Sequence, residues 1–280
     1  MSETYAGIVL NPGSKLSHER YEILEFLGAG SIGNVYKAFD KQRNQRIAIK
    51  ILKSHFTGDG PIRQNFLDKA KLNQTLAHPC IVKVFDVGED GPLAFYTMEF
   101  LEGKPLGQFF RNLRSEGKTL GVKSAIALIE QACQALEYAH GKGIVHGSAY
   151  IENLWLGNTG KIKIMEFGFG AHASFLTPEQ SYCFDGSQTS DQRNDQFLLA
   201  FVLCLLLTGN KPAALPYSGW PKNVPNKLGS VVEKALAMPD ERFQTIRQFR
   251  LALRGQHDFQ SSRLGRMFAS FTNSCLGTRP

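Results

Sequence analysis

Three glycines and a lysine carry the spacing in this chain that most clearly could do chemistry. Gly28, Gly30 and Gly33 lie in Leu27-Gly28-Ala29-Gly30-Ser31-Ile32-Gly33-Asn34-Val35, and Lys50 ends Ile47-Ala48-Ile49-Lys50, 17 residues after Gly33. A backbone without Cβ atoms can lie close over phosphates, and a nearby ammonium can neutralise them. The glycines fall between two segments that read as strands rather than before a helix, which separates them from a dinucleotide-binding turn. The five cysteines (Cys80, Cys133, Cys183, Cys204 and Cys275) are widely spaced. They form no C-x-x-C pair and no cluster with histidine at zinc spacing, so they read as buried reduced thiols.

The elements that must position these groups are legible from periodicity. Residues 21–27 and 34–39 alternate like strands on either side of the glycine turn. Residues 46–52, 81–87 and 93–100 complete five strands, and 62–76 has helical spacing through Phe66, Leu67, Ala70 and Leu76. After Gly103 the chain turns helical. Residues 124–140 carry a broad apolar face, 195–208 is a strongly apolar helix ended by Gly209, and 228–237 and 245–253 read as two more helices. Short strands fall near Leu154 and over 162–165. The fold class is α+β, with a five-stranded N-lobe carrying one helix and a mainly helical C-lobe. The boundaries expected are an arm over 1–17, an N-lobe over 18–102, a C-lobe over 103–255 and a tail over 256–280.

The chain has 280 residues, 42% apolar and 20% charged, with a formal net charge of +7, enough for one large domain or two lobes. Its basic residues are dispersed, with no Arg/Lys block interleaved with aromatics, which argues against a dedicated nucleic-acid role. The longest apolar run, 197–207, falls short of the roughly 20 residues of a membrane span. The N-terminus has no charged-then-apolar signal, so a cytoplasmic address is expected. Arg263, Arg266, Met267, Phe268 and Phe271 leave open a basic amphipathic tail touching acidic lipid, against the alternative of a frayed terminus.

The glycine loop and Lys50 resemble the Gly-rich loop and V-A-I-K lysine of protein kinases. Later landmarks follow in the order of that family. Met98-Glu99-Phe100-Leu101 resembles the gatekeeper and hinge, and His146-Gly147-Ser148-Ala149-Tyr150-Ile151-Glu152-Asn153 the H-R-D-L-x-x-x-N catalytic loop. Glu166-Phe167-Gly168 stands at D-F-G, Thr177-Pro178-Glu179 at A-P-E, and Asp195 near the start of the central large-lobe helix. The similarity covers residues 18–255 and is strongest to the bacterial serine/threonine group. It implies a bilobal fold with a nucleotide site lined by Gly28, Gly30, Gly33, Val35, Ala48, Lys50, Met98, Glu99, Leu101 and Trp155. It implies metal ligands at Asn153 and Glu166, structural roles for His146 and Asp195, and a buried Glu179–Arg242 pair.

The departures from the family pattern fall on its chemistry. Ser148 replaces the aspartate base, Gly147 the arginine beside it and Tyr150 a lysine. A hydroxyl of high pKa is a poor proton acceptor. Glu166 is one methylene longer than aspartate, which works against the strict geometry of Mg²⁺. Lys69 stands where a glutamate would pair with Lys50, and Asn73 where an apolar spine residue is usual. Trp155 occupies the floor of the adenine pocket, where it either crowds the base or turns into the C-lobe core. Only eight residues, 169–176, separate the D-F-G and A-P-E positions, and 209–231 is short for a substrate-docking helix. Together these imply a pseudokinase, a protein-binding or regulatory module that requires no cofactor, with weak or metal-independent ATP binding left open. The alternative is an atypical active kinase that uses Glu166 and Asn153 for metal. A different transfer reaction on the same fold, such as nucleotidylation, is a third reading that no residue selects.

Overall fold

The computed structural model describes residues 10–169, 191–212, 217 and 219–255. They form two compact units, one made of the chain up to residue 77 with 82–101, the other of 78–81 with the chain from 102 onward.

The first unit is an antiparallel sheet built from β1 (Lys15–Leu16), β2 (Tyr21–Ala29), β3 (Gly33–Asp40), β4 (Gln45–Leu52), β5 (Val84–Asp90) and β6 (Leu93–Glu99), in the order β1-β2-β3-β4-β6-β5. Period-two alternation sends Tyr36 and Ala38 of β3 into the core with Tyr21, Ile23, Ile47, Ile49 and Phe95, while Lys37 and Phe39 face the other way. β6 is buried on both faces because α2 (Gly60–Gln74) covers the second one, with the Phe66 and Tyr96 rings 5.4 Å apart. Asp59 caps α2 by accepting from the Ile62 N–H at 3.0 Å, and Pro61 sits in the first turn.

Two elements differ from the sequence expectation. A four-residue helix, α1 (Ser54–Thr57), precedes α2. The sheet has a sixth strand, because Lys15–Leu16 of the expected arm pairs with Tyr21 and Glu22. Leu16 closes the core at 3% exposure, and Ser17, His18 and Glu19 turn the chain at positive φ. Two residues are too few to show a period, so nothing in the local pattern marks β1.

The second unit holds α3 (Leu106–Ser115), α4 (Val122–His140), α5 (Gln192–Thr208), α6 (Asn226–Leu236), α7 (Ile246–Arg254) and a small sheet of β7 (Lys104–Pro105), β8 (Leu154–Leu156) and β9 (Ile162–Ile164). α5 is buried nearly all round, as its continuous apolar run requires, and ends at Gly209 in the left-handed region (φ 74°). α3 is the helix that the sequence reading passed over, although Leu106, Phe109 and Leu113 are buried at i, i+3 and i+7. Among the described residues between Thr208 and Asn226 no helix forms. Instead the Trp220 indole N–H donates to Glu233 at 2.8 Å, and its ring lies where a Cβ on Gly229 would come within 3.0 Å of Nε1. No helix among the described residues is long and apolar enough to cross a membrane.

One buried acid on α4 has a measurable consequence. Glu130 is 5% exposed, and its Oε1 finds no hydrogen-bond donor among the described residues, although Arg254 Nε lies 3.3 Å away. Burial pushes its carboxyl above the ordinary range, with Arg254 and Arg250 opposing. The folded form therefore holds the proton more tightly than the unfolded chain. Stability contributed by the neutral acid is full below the ordinary carboxylate range and is lost as pH rises through the raised value. Glu130→Gln should raise the melting temperature at pH 7 by a few degrees, for about 1 kcal/mol regained. It should leave the melting temperature unchanged well below pH 4. A variant less stable than the parent at pH 7 would show that the ion pair outweighs the burial.

Candidate catalytic and nucleotide site

In the first unit the glycine turn is shaped by the strand beneath it. Gly30 N–H donates to Gly33 O at 2.8 Å, closing the turn between β2 and β3. A Cβ on Gly33 would lie 2.8 Å from Ile51 O and 3.1 Å from Lys50 Cε, so packing inside the sheet alone demands glycine there. A Cβ on Gly28 would meet nothing within 4 Å, so no protein contact demands that glycine. Lys50 is 2% exposed, opposite Val35 on β3 and Tyr96 on β6, and its Nζ lies 3.6 Å from where a Cβ on Gly30 would sit. Ala48 pairs with Met98, and both are buried. The Glu99 backbone N–H donates to Lys83 O at 2.9 Å and its carboxylate accepts from Lys83 N–H at 2.8 Å, which pins the strand leading to the half-buried Leu101. On α2, Lys69 is half-buried. Asn73 is buried and donates its amide to Lys69 O at 2.7 Å, bonding back onto its own helix.

In the second unit Asp195, fully buried at the start of α5, is the anchor of the loop 146–153. It accepts from the backbone N–H of His146 at 2.9 Å and of Gly147 at 2.8 Å, and from His140 Nε2 at 2.8 Å. Gly147 adopts φ 75°, a conformation that an arginine would hold only under strain. His146 Nε2 lies 2.9 Å from Met165 O. A carbonyl only accepts, so Nε2 carries the proton and Nδ1 is an acceptor. Burial lowers the His146 pKa and keeps the ring neutral. Ser148 N–H and Ser148 Oγ lie 3.2 and 3.3 Å from that Nδ1, so the hydroxyl donates into the histidine. Asn153 Nδ2 donates to Ser148 O at 2.8 Å and reaches Ser148 Oγ at 3.4 Å. Ser148 is 5% exposed, and both faces of its hydroxyl are engaged inside the loop. Tyr150 is buried at 5% exposure, a neutral ring where the resemblance implies a lysine.

Glu166 is a non-glycine residue at φ 67°, a backbone state costing of order 1 kcal/mol or more. Its neighbours hold it there. Met165 N–H donates to Asn153 O at 3.0 Å, Gly168 N–H donates to His146 O at 3.1 Å, and the buried Phe167 ring packs 4.5 Å from the His146 ring. For a cation, Asn153 offers one amide oxygen and Glu166 one carboxylate. Among the described residues no group of three or more His, Cys, Asp or Glu side chains gathers that could hold a metal. Mg²⁺ is commonly held by one or two protein oxygen ligands with waters and substrate phosphates completing its octahedron, and Asn153 and Glu166 are the two side chains here that would supply them.

Trp155 lies on the more exposed face of its strand. Leu154 and Leu156 are buried on one face of β8, so Trp155 points to the other. It is half-exposed, and its indole N–H donates to Glu102 O at 3.1 Å, just past the hinge. It does not enter the helical core. Arg242, 3% exposed, donates to Ala237 O at 2.8 Å and to Arg193 O at 3.3 Å and lies 4.6 Å over the Phe197 ring. Glu179, the other half of its expected pair, lies outside the described residues, as do the Thr177-Pro178-Glu179 motif and the tail 256–280. Sequence reasoning missed His140, the third donor on Asp195. Its place as the last residue of α4 was the only signal.

The family and the fold both have counterparts among known proteins. A family model described as the protein kinase domain matches residues 21–213. Serine/threonine-protein kinase PknB of Mycolicibacterium smegmatis is 31% identical over 281 residues, covering 87% of this chain and 44% of that protein. Serine/threonine-protein kinase PknD of Chlamydia trachomatis is 28% identical, covering 84% of this chain and 31% of that one. The chain therefore spans less than half the length of these curated relatives. The crystal structure of the Mycobacterium tuberculosis PknI kinase domain aligns with a TM-score of 0.72 at 27% identity, covering 89% of this chain and 100% of that one.

Proposed function

Since the chain belongs to the protein kinase domain family, in its bacterial serine/threonine group, we propose that it is a catalytically inactive or severely impaired member that acts by binding a protein partner. The observation that carries this reading is Ser148. At the position of the catalytic base stands a neutral hydroxyl that donates to His146 Nδ1 and is backed by Asn153. It is a strut of the loop rather than a group that can take a proton from a substrate hydroxyl.

Nucleotide binding is read as weak or independent of Mg²⁺. Lys50 and the glycine turn are residue types that meet phosphates in the family the chain resembles. The family resemblance assigns Trp155 to the adenine floor, and its indole N–H donates to Glu102 O. A thermal-shift titration with ATP, alone and with Mg²⁺ or Mn²⁺, tests the reading, because a ligand that binds only the folded state raises the melting temperature. A small shift or none, unchanged by metal, is expected. Trp155→Leu should increase the ATP shift by about 1–3 °C if the indole crowds the base, while leaving the ligand-free melting temperature within about 2 °C. A large shift that requires Mg²⁺ would instead favour the second reading, an atypical kinase holding metal through Glu166 and Asn153. The retained burial of Lys50 beneath the glycine turn is the one observation on that side.

A further inference from the structure

We propose that this chain forms a dimer by exchanging its first strand, so that β1 of each copy completes the sheet of the other. The partner is a second copy of this chain, and the inference stands independently of the inactive-kinase reading. β1 is the edge strand of the first unit, and Ser17, His18, Glu19 and Arg20 join it to β2. Ser17, His18 and Glu19 sit in succession at φ 51°, 53° and 66°. The left-handed region is visited by single residues, usually glycine or asparagine, because a Cβ there crowds the following carbonyl. None of the three is either type. A short hinge under backbone strain of this kind favours exchange, since opening it relieves the strain without giving up the contacts of the strand.

Those contacts can be made equally well between copies. Leu16 is 3% exposed, in the core cluster with Tyr21 and Ile23. The strand pairs Lys15 with Glu22 and Leu16 with Tyr21. The segment before it adds Gly13 N–H to Ile23 O at 2.8 Å, and Ile23 N–H to Ser14 O at 2.9 Å. Each of these transfers unchanged to a second copy. The same antiparallel register, carried through the opened hinges, places Ser17 opposite Arg20 and His18 opposite Glu19 of the second copy. The Arg20 N–H to Ser17 O bond, 3.1 Å in the closed turn, is then re-formed between copies, and each imidazole faces a carboxylate, twice by two-fold symmetry. His18 and Glu19 are exposed, so a second copy can reach the hinge. The contacts special to the closed turn among the described residues are Ser17 N–H to Asp90 Oδ2 at 2.6 Å and the exposed Lys15–Glu19 pair at 2.8 Å. An exposed pair contributes little, which leaves the Asp90 bond as the clasp that opposes exchange.

The test equilibrates the full chain at rising concentration with gentle warming, then sizes the species by chromatography with light scattering. A dimer should accumulate with concentration. His18→Gly/Glu19→Gly gives the turn residues that accept positive φ at no steric cost, and should lower the dimer association constant by roughly tenfold or more. His18→Val/Glu19→Val favours extended backbone and should raise it by roughly tenfold or more. Neither position lies in the candidate site. Exchange is told from a contact between intact surfaces by Lys15→Cys/Glu22→Cys in a Cys183→Ser/Cys275→Ser background. Paired strand positions suit a disulfide, and Cys80, Cys133 and Cys204 are buried. After oxidation the dimer peak should run as a covalent dimer on a non-reducing denaturing gel, and the monomer peak as a single chain. The proposal is overturned if the valine variant stays monomeric, if the two hinge variants have equal association constants, or if the dimer peak holds only bridges within each chain. Thermal-shift and phosphotransfer assays report separately. A failed exchange test leaves the pseudokinase reading standing, and phosphotransfer activity would remove that reading without touching the exchanged dimer.

Discussion

Incubated with γ-labelled ATP and Mg²⁺, the chain is expected to incorporate no more phosphate than its Lys50→Ala variant. Loss of general-base help removes roughly 10²–10⁴ of rate, equivalent to about 3–5 kcal/mol of transition-state stabilisation. Here the loss goes beyond the residue type, since the Ser148 hydroxyl is turned into the loop at 5% exposure and bonded to His146. Ser148→Asp alone should therefore not restore transfer. An aspartate would supply the carboxylate, but Glu166 and Asn153 would still have to complete the metal site. Incorporation above the Lys50→Ala level in the parent chain would refute the inactive reading. A gain confined to Ser148→Asp would locate the defect in the base alone.

Asp195→Ala should be among the most destabilising single changes in the second unit. The buried carboxylate satisfies three donors: the backbone N–H groups of His146 and Gly147 and the Nε2–H of His140. Leaving a buried donor unsatisfied costs about 1–3 kcal/mol, so the loss should reach about 3–6 kcal/mol, lowering the melting temperature by roughly 10 °C or more. Asp195→Asn keeps one acceptor oxygen but turns an amide N–H toward a donor, so an intermediate loss is expected. Urea unfolding midpoints at constant slope measure both. A loss under about 1 kcal/mol for Asp195→Ala would mean that water replaces the carboxylate and that the loop is not held through this residue.

Much of the fold was legible because its signals are local. Alternation over β2, β3 and β4, the apolar faces of α4 and α5, and Gly209 after Thr208 each lie within a few residues of one another. β1 escaped because two residues have no period. α3 escaped although its stripe is regular, because its buried side chains alternate with Gly107 and with exposed arginines that dilute the pattern. The candidate site was legible as a set of residue types in order: glycines, Lys50, the loop from His146 to Asn153, and Glu166.

The sequence by itself determined the family, the order of the two lobes and the absence of the aspartate base at position 148, because those depend on which residues occur and how far apart. Only the tertiary structure decided what the remaining groups do. Trp155 could face either side of β8 until Leu154 and Leu156 took the buried one. The Ser148 hydroxyl meets His146 Nδ1 in a loop whose backbone N–H groups are held by Asp195, 49 and 48 residues further on. In each case the deciding partner lies far away in sequence, where periodicity and propensity carry no information and only packing can choose.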